Sequence, residues 1–243
     1  MADLAKYFMK RVIFILSVLA LTACKELIGE RGNEDRVTKS ITIDSFEKIE
    51  ISGNFKITLT PSEDNELAIE ADENLHQYID VFVRGNTLYI LTDRRLNSRK
   101  GIIIDIPVME LRRITSSGVS TIESKGLIKS ADLEIEISGA GKLDLNLDVK
   151  EVTLDLSGAT LVYLEGIAEK LDVDMSGAGS LSAGEFKVQD CMVNISGVGH
   201  VLVNVTGMLD AQVSGLGKVE YVGDPKSIRG DVSGIGKVSK AKD

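Results

Sequence analysis

Ile135-Glu136-Ile137-Ser138-Gly139-Ala140-Gly141-Lys142-Leu143 returns, nineteen residues on, as Leu154-Asp155-Leu156-Ser157-Gly158-Ala159-Thr160-Leu161-Val162. The Ser-Gly word occurs seven times in this setting, at Ser117, Ser138, Ser157, Ser176, Ser196, Ser214 and Ser233. Successive serines are separated by 21, 19, 19, 20, 18 and 19 residues. A period near 20 marks a repeat architecture built from one supersecondary unit.

The repeat has columns. Five residues after each serine stand Ile122, Leu143, Val162, Leu181, Val201, Val219 and Val238. One residue before it stand Ile137, Leu156, Met175, Ile195, Val213 and Val232. Three before stand Ile135, Leu154, Val173, Val193, Ala211 and Gly230, and five before Leu133, Val152, Leu171, Cys191, Leu209 and Ile228. The positions between are mostly polar, for example Glu134, Glu136, Thr153, Asp155, Asp172 and Asp174. Alternation with period two means half-buried strands, not helices. The pattern predicts an all-β parallel β-helix (β-solenoid) with coils of about 19 residues, each aliphatic column a ladder pointing at the axis. The glycines are expected at the corners, where a positive φ carries no Cβ clash.

Working outward, residues 116–243 hold the regular repeats and residues 41–115 a less regular N-terminal half of the same domain, 41–243. Ile41 to Ile51, Phe55 to Leu59, Leu67 with Ile69, and Ile102 to Ile106 alternate as strands. Val81 to Ile90 reads as a hairpin turning at Gly85-Asn86, and Glu73 to Ile79 as a short helical segment capped by Asp72. Arg94 to Lys100 is a charged loop. This half is expected to cap the solenoid, because the terminal unit of a stack has one side facing water. After Val238 the sequence shows no cap, so a homo-oligomer through the C-terminal coil is an expected way to cover its backbone edge.

Residues 1–24 read as a leader. Lys10 and Arg11 precede the apolar run Val12–Ala20, which is too short to span a bilayer as a helix. It ends in Leu21-Thr22-Ala23-Cys24, which resembles the bacterial lipobox and makes Cys24 the expected lipidation site. Either Met1 or Met9 can serve as the start. Residues 25–40, polar and aperiodic, read as a flexible tether. Lys25 after the lipidated cysteine favours the outer membrane in the lipoprotein pattern, periplasmic or surface-facing.

The composition limits the function. The whole chain carries −9; cleavage before Cys24 removes a net +2 and leaves −11. Such a chain repels nucleic acid, and attachment to a membrane falls to the lipid anchor. With Cys24 acylated, Cys191 has no disulfide partner and reads as a small buried hydrophobe.

Ile49-Glu50-Ile51-Ser52-Gly53-Asn54-Phe55-Lys56-Ile57-Thr58-Leu59 resembles the opening of the putative auto-transporter adhesin, head GIN domain family. Words such as Ile137–Gly141 are similar to that family's second half, so the resemblance spans residues 37–243. The name-giving Gly-Ile-Asn is Gly53-Asn54-Phe55 here. The resemblance implies a right-handed parallel β-helix in an exported lipoprotein of Gram-negative bacteria, and it brings no catalytic residues.

A search for chemistry is mostly negative. The two histidines are His76 and His200, and His200 fills a position that Lys142, Ser180, Lys218 and Lys237 fill in sister repeats. No Cys/His spacing suits zinc, and no serine is distinguished as a nucleophile. Calcium is the one cofactor alternative. The outward carboxylates Glu136, Asp155, Asp174 and Asp231 share a column with Asn194 and Gln212, and stacked like charges invite a cation. A solvated acidic face is the plainer reading. The expected function is a non-enzymatic, adhesin-like binding module at the cell surface or outer membrane with a glycan or protein ligand. The alternative is a periplasmic structural or envelope-assembly protein. A carbohydrate-active enzyme is a third reading, weakened by the lack of tryptophan platforms for sugars.

Overall fold

The computed structural model of the chain describes residues 29–242. Cys24 and the leader lie outside the described residues. From Val119 onward the chain is a parallel β-solenoid. Four long strands each run most of a coil: β11 (Val119–Ile137), β12 (Ala140–Leu156), β13 (Ala159–Met175) and β14 (Ala178–Ile195). Later coils break into β15 (Val198–Val205) with β16 (Met208–Val213), then β17 (Leu216–Val222) with β18 (Ser227–Val232), then β19 (Ile235–Lys240). Every neighbour in this stack is parallel, and the columns read from the sequence are the pairing register: Leu143 lies beside Val162, and Leu154 beside Val173.

The period varies from 18 to 21, yet the columns do not slip. The reason lies at the corner opposite Ser-Gly. The register shifts between Glu123 and Leu127, between Tyr163 and Glu165, and between Ala183 and Lys187. Extra residues are absorbed there as bulges, so the two strand faces keep a constant offset. Gly126 and Gly166, at that corner, adopt φ of 117° and 110°.

The Ser-Gly glycines differ from expectation. None of Gly118, Gly139, Gly158, Gly177, Gly197, Gly215 or Gly234 has positive φ. Close approach is what demands glycine: a Cβ on Gly158 would lie 1.6 Å from the Gly139 carbonyl oxygen, and one on Gly177 2.0 Å from that of Gly158. The backbones of successive coils touch along this corner.

The N-terminal half stacks out of sequence order. Strands β3 (Lys48–Ser52) and β4 (Asn54–Pro61) form a coil whose Ser52-Gly53 is an eighth corner of the same ladder. It lies directly under Ser117-Gly118, because β10 (Arg113–Ser116) pairs with β3 and β11 pairs with β4. The residues between loop outward to build one more coil from β7 (Thr87–Leu91) and β9 (Ile103–Val108), stacked on β3 and β4. Antiparallel strands then close that end. β2 (Arg36–Thr42) pairs with β5 (Glu66–Asp72), β5 pairs with β9, and β6 (Asp80–Arg84) forms the expected hairpin with β7.

Three expectations change. The tether assigned to 25–40 is ordered in its described part. β1 (Glu30–Arg31) pairs with β8 (Leu96–Asn97), inside the loop read as merely charged, and β2 pairs along seven residues of β5. Its polar composition hid an edge strand with only one half-buried face. The 3₁₀ helix Glu73–Tyr78 follows Asp72, but the Asp72 side chain makes no capping bond. In the last coil Ile228 and Val232 are 47% and 39% exposed, and Gly230 is exposed too. Ladder residues are buried by coils on both sides, and β18 has a neighbour on one side only among the described residues.

Elsewhere the alternation is obeyed. Leu133, Ile135, Ile137, Leu154, Leu156, Leu171, Val193 and Leu209 are at most 2% exposed. One contiguous apolar core runs from Ile43 to Val219.

Candidate functional site

The outer surface has three features, each set by one column. The first is acidic. Glu136, Asp155, Asp174, Asn194, Gln212 and Asp231 stack side by side as anticipated. Glu134, Glu136 and Asp155 bring a carboxylate oxygen each to within 4.8 Å of one another. Glu134 belongs to this group and was missed as a candidate, since it lies one column over; Arg113 bonds it. The Glu136 carboxyl is pushed above its ordinary value, first by burial and then by Glu134. Asp174 instead accepts a hydrogen bond from Asn194 Nδ2 at 3.2 Å, and Asp231 is separated from it by the Asn194 and Gln212 coils. The four calcium candidates therefore do not converge on one point, and only Glu136 and Asp155 share a cluster.

The second feature is a set of basic side chains on the other face, Lys142, His200 and Lys218, each bonded to a carboxylate of the neighbouring column. Lys142 bonds Asp144 at 2.9 Å, and Glu220 receives Lys218 at 2.6 Å and His200 at 2.8 Å. Those two donors, Lys218 first, hold the Glu220 carboxyl below its usual range. His200 is thus an exposed partner of the next coil's glutamate. His76 bonds the Val37 carbonyl at 3.0 Å. The corner serines Ser117, Ser138, Ser157 and Ser214 donate long bonds to carbonyls of the preceding coil, at 3.4–3.5 Å.

The third feature escaped the sequence reading, although its signal was present. The residue after each Ser-Gly is aliphatic in all seven repeats: Val119, Ala140, Ala159, Ala178, Val198, Leu216 and Ile235. These residues point outward. Val119, Val198, Leu216 and Ile235 are 55%, 54%, 50% and 77% exposed. Together they form a continuous apolar ridge along the Ser-Gly corner.

Cys191 sits in the ladder, 2% exposed, and burial pushes its thiol up to about 12. The thiolate is the reactive form, so Cys191 should not react with iodoacetamide at pH 8 in the native protein, and the peptide that contains it should gain one adduct once urea unfolds the chain. Fast native labelling, followed by mass spectrometry, would show that the ladder opens at this coil.

A corner-stacked parallel solenoid with an antiparallel cap and an apolar ridge defines a repeat-scaffold protein. The family match agrees: residues 45–225 match "putative auto-transporter adhesin, head GIN domain", and the chain belongs to this family. Solved structures are similar over nearly the whole fold. A putative adhesin from Bacteroides fragilis NCTC 9343 is 27% identical with a TM-score of 0.82, over 88% of this chain and 100% of that one. A putative lipid binding protein from Parabacteroides distasonis ATCC 8503 is 23% identical with a TM-score of 0.69, over 87% and 99%. A putative adhesin from Parabacteroides merdae ATCC 43184 is 24% identical with a TM-score of 0.63, over 87% and 98%. The latter two likenesses are of fold alone. No curated protein matches the chain in sequence. Among the described residues no helix is long and apolar enough to cross a membrane.

Proposed function

We propose that this chain is an exported lipoprotein, held at the outer membrane through acyl groups on Cys24, whose solenoid is a non-enzymatic, adhesin-like module for a glycan or protein ligand. The apolar ridge carries this reading. Val119, Val198, Leu216 and Ile235, exposed along one corner and joined by the alanines of the coils between, are unfavourable in water unless something covers them, in a chain of net charge −9. Its length suits an extended ligand better than a small molecule. Acidic character makes nucleic acid an unsuitable ligand, and calcium on the Glu136–Asp155 pair is at most an accessory.

Protease shaving of intact cells carrying the tagged protein tests where the ridge faces. Digestion without lysis is the expected result, and it directs glycan and host-protein binding screens at the ridge. Protection until the outer membrane is opened removes adhesion and leaves the second reading, a periplasmic scaffold. One observation favours that reading: Ile228, Val232 and Ile235 are exposed together on the last coil, a surface through which copies could associate.

A further inference from the structure

Apart from the ridge, one cavity at the capped end has a different chemistry. Three loops meet at the capped end: residues 43–47 between β2 and β3, 62–65 between β4 and β5, and 109–112 between β9 and β10. They are joined pairwise by backbone hydrogen bonds. Ile43 N–H donates to the Asn65 carbonyl at 2.9 Å, Ser62 N–H to Val108 at 3.1 Å, and Arg112 N–H to Glu47 at 2.7 Å. The cavity they enclose, about 430 Å³, is therefore preformed. Its size falls in the ordinary range of ligand pockets, about 300–1,000 Å³.

The floor is apolar. Ile43 and Pro107 are buried beneath it, Phe46 packs on the core, and Met109 stands 71% exposed at its edge. The rim is anionic, with Asp44, Glu47, Glu63, Asp64 and Glu110 around one opening. Arg112 satisfies two of these, bonding Glu47 at 3.4 Å and Glu110 at 2.7 Å. Asp44, Glu63 and Asp64 have no cationic partner among the described residues; Asp64 accepts only the Ser62 hydroxyl, at 2.8 Å. An apolar floor under uncompensated carboxylates complements one kind of group, a cation on an aliphatic stem. The stem covers the floor while the charge reaches the rim.

We propose that this three-loop cavity docks a lysine or arginine side chain presented by a basic segment of a partner protein. The assignment stands whether the domain faces outward or into the periplasm, so the shaving experiment and the following one fail independently.

The test is calorimetric titration of the full chain with a blocked hexapeptide of alternating lysine and leucine, with its glutamate counterpart and with n-butylammonium. The lysine peptide is expected to bind, more weakly as salt rises, and the glutamate peptide not to bind. The triple variant Asp44→Asn, Glu63→Gln, Asp64→Asn should lower the affinity about tenfold or more. Asp155→Asn with Asp174→Asn, on the acidic face, should leave it unchanged. All five positions are exposed, so unchanged melting should accompany both variants. Equal weakening by both variants would reduce the effect to general acidity. No binding of the peptide, or binding of butylammonium equally tight, would overturn the proposal. Self-association abolished by the triple variant would make a second copy the occupant, and that too would overturn it.

Discussion

Leu156→Asp is expected to unfold the solenoid or leave it barely stable. Leu156 is 1% exposed in the column of Ile137 and Met175. A carboxylate there meets aliphatic side chains from the coils on either side and has no cation within the core. Burying an unpaired charge costs about 4 kcal/mol or more, against a total stability of roughly 5–15 kcal/mol for a native domain. Asp155→Leu, one residue earlier, changes charge by as much in the opposite sense, yet Asp155 faces water beside Glu136 and Asp174. Its effect should stay within about 0.5 kcal/mol. Urea midpoints of the two variants give the comparison, and similar losses would disprove the inward–outward assignment on which the fold rests.

Gly158→Ala comes second and acts through the backbone. The new Cβ would sit 1.6 Å from the Gly139 oxygen, so the coils must part at that corner. Parting them strains two bonds of 3.0 Å, from Ala159 N–H to Gly139 and from Ala178 N–H to Gly158. Each buried backbone bond lost is worth about 1–3 kcal/mol, which puts the expected loss at about 3 kcal/mol. Gly85→Ala is the control. Nothing lies within 4 Å of a Cβ there, and its φ of 59° costs only about 1 kcal/mol for an L-residue. Thermal melts that rank Gly85→Ala as the more damaging would show that conformation, not close approach, requires the Ser-Gly glycines.

The legibility of the fold follows from its one-dimensional construction. Each coil puts the same positions in the same surroundings, so Leu143, Val162 and Leu181 experience one environment and read as one column. The candidate site was less legible. The acidic column was readable as a row, but that Glu134 joins Glu136 and Asp155 while Asp231 lies apart depends on coil stacking. The apolar ridge was written plainly in the residue after each Ser-Gly, and its meaning rests on which way a corner residue points.

By itself, then, the sequence determined the strands of the repeats, their alternation, the coil length and the family, because these are local periodicities repeated seven times. Only the tertiary structure decided what long-range contact creates. It placed Ser52-Gly53 beneath Ser117-Gly118 across 65 residues, recruited the polar segment Arg36–Thr42 into the cap, and left Ile228 and Val232 exposed. It also assembled an anionic cavity from three loops that no period connects. Periodicity reports what neighbouring coils share, whereas a cap, an edge and a loop junction exist where that sharing stops.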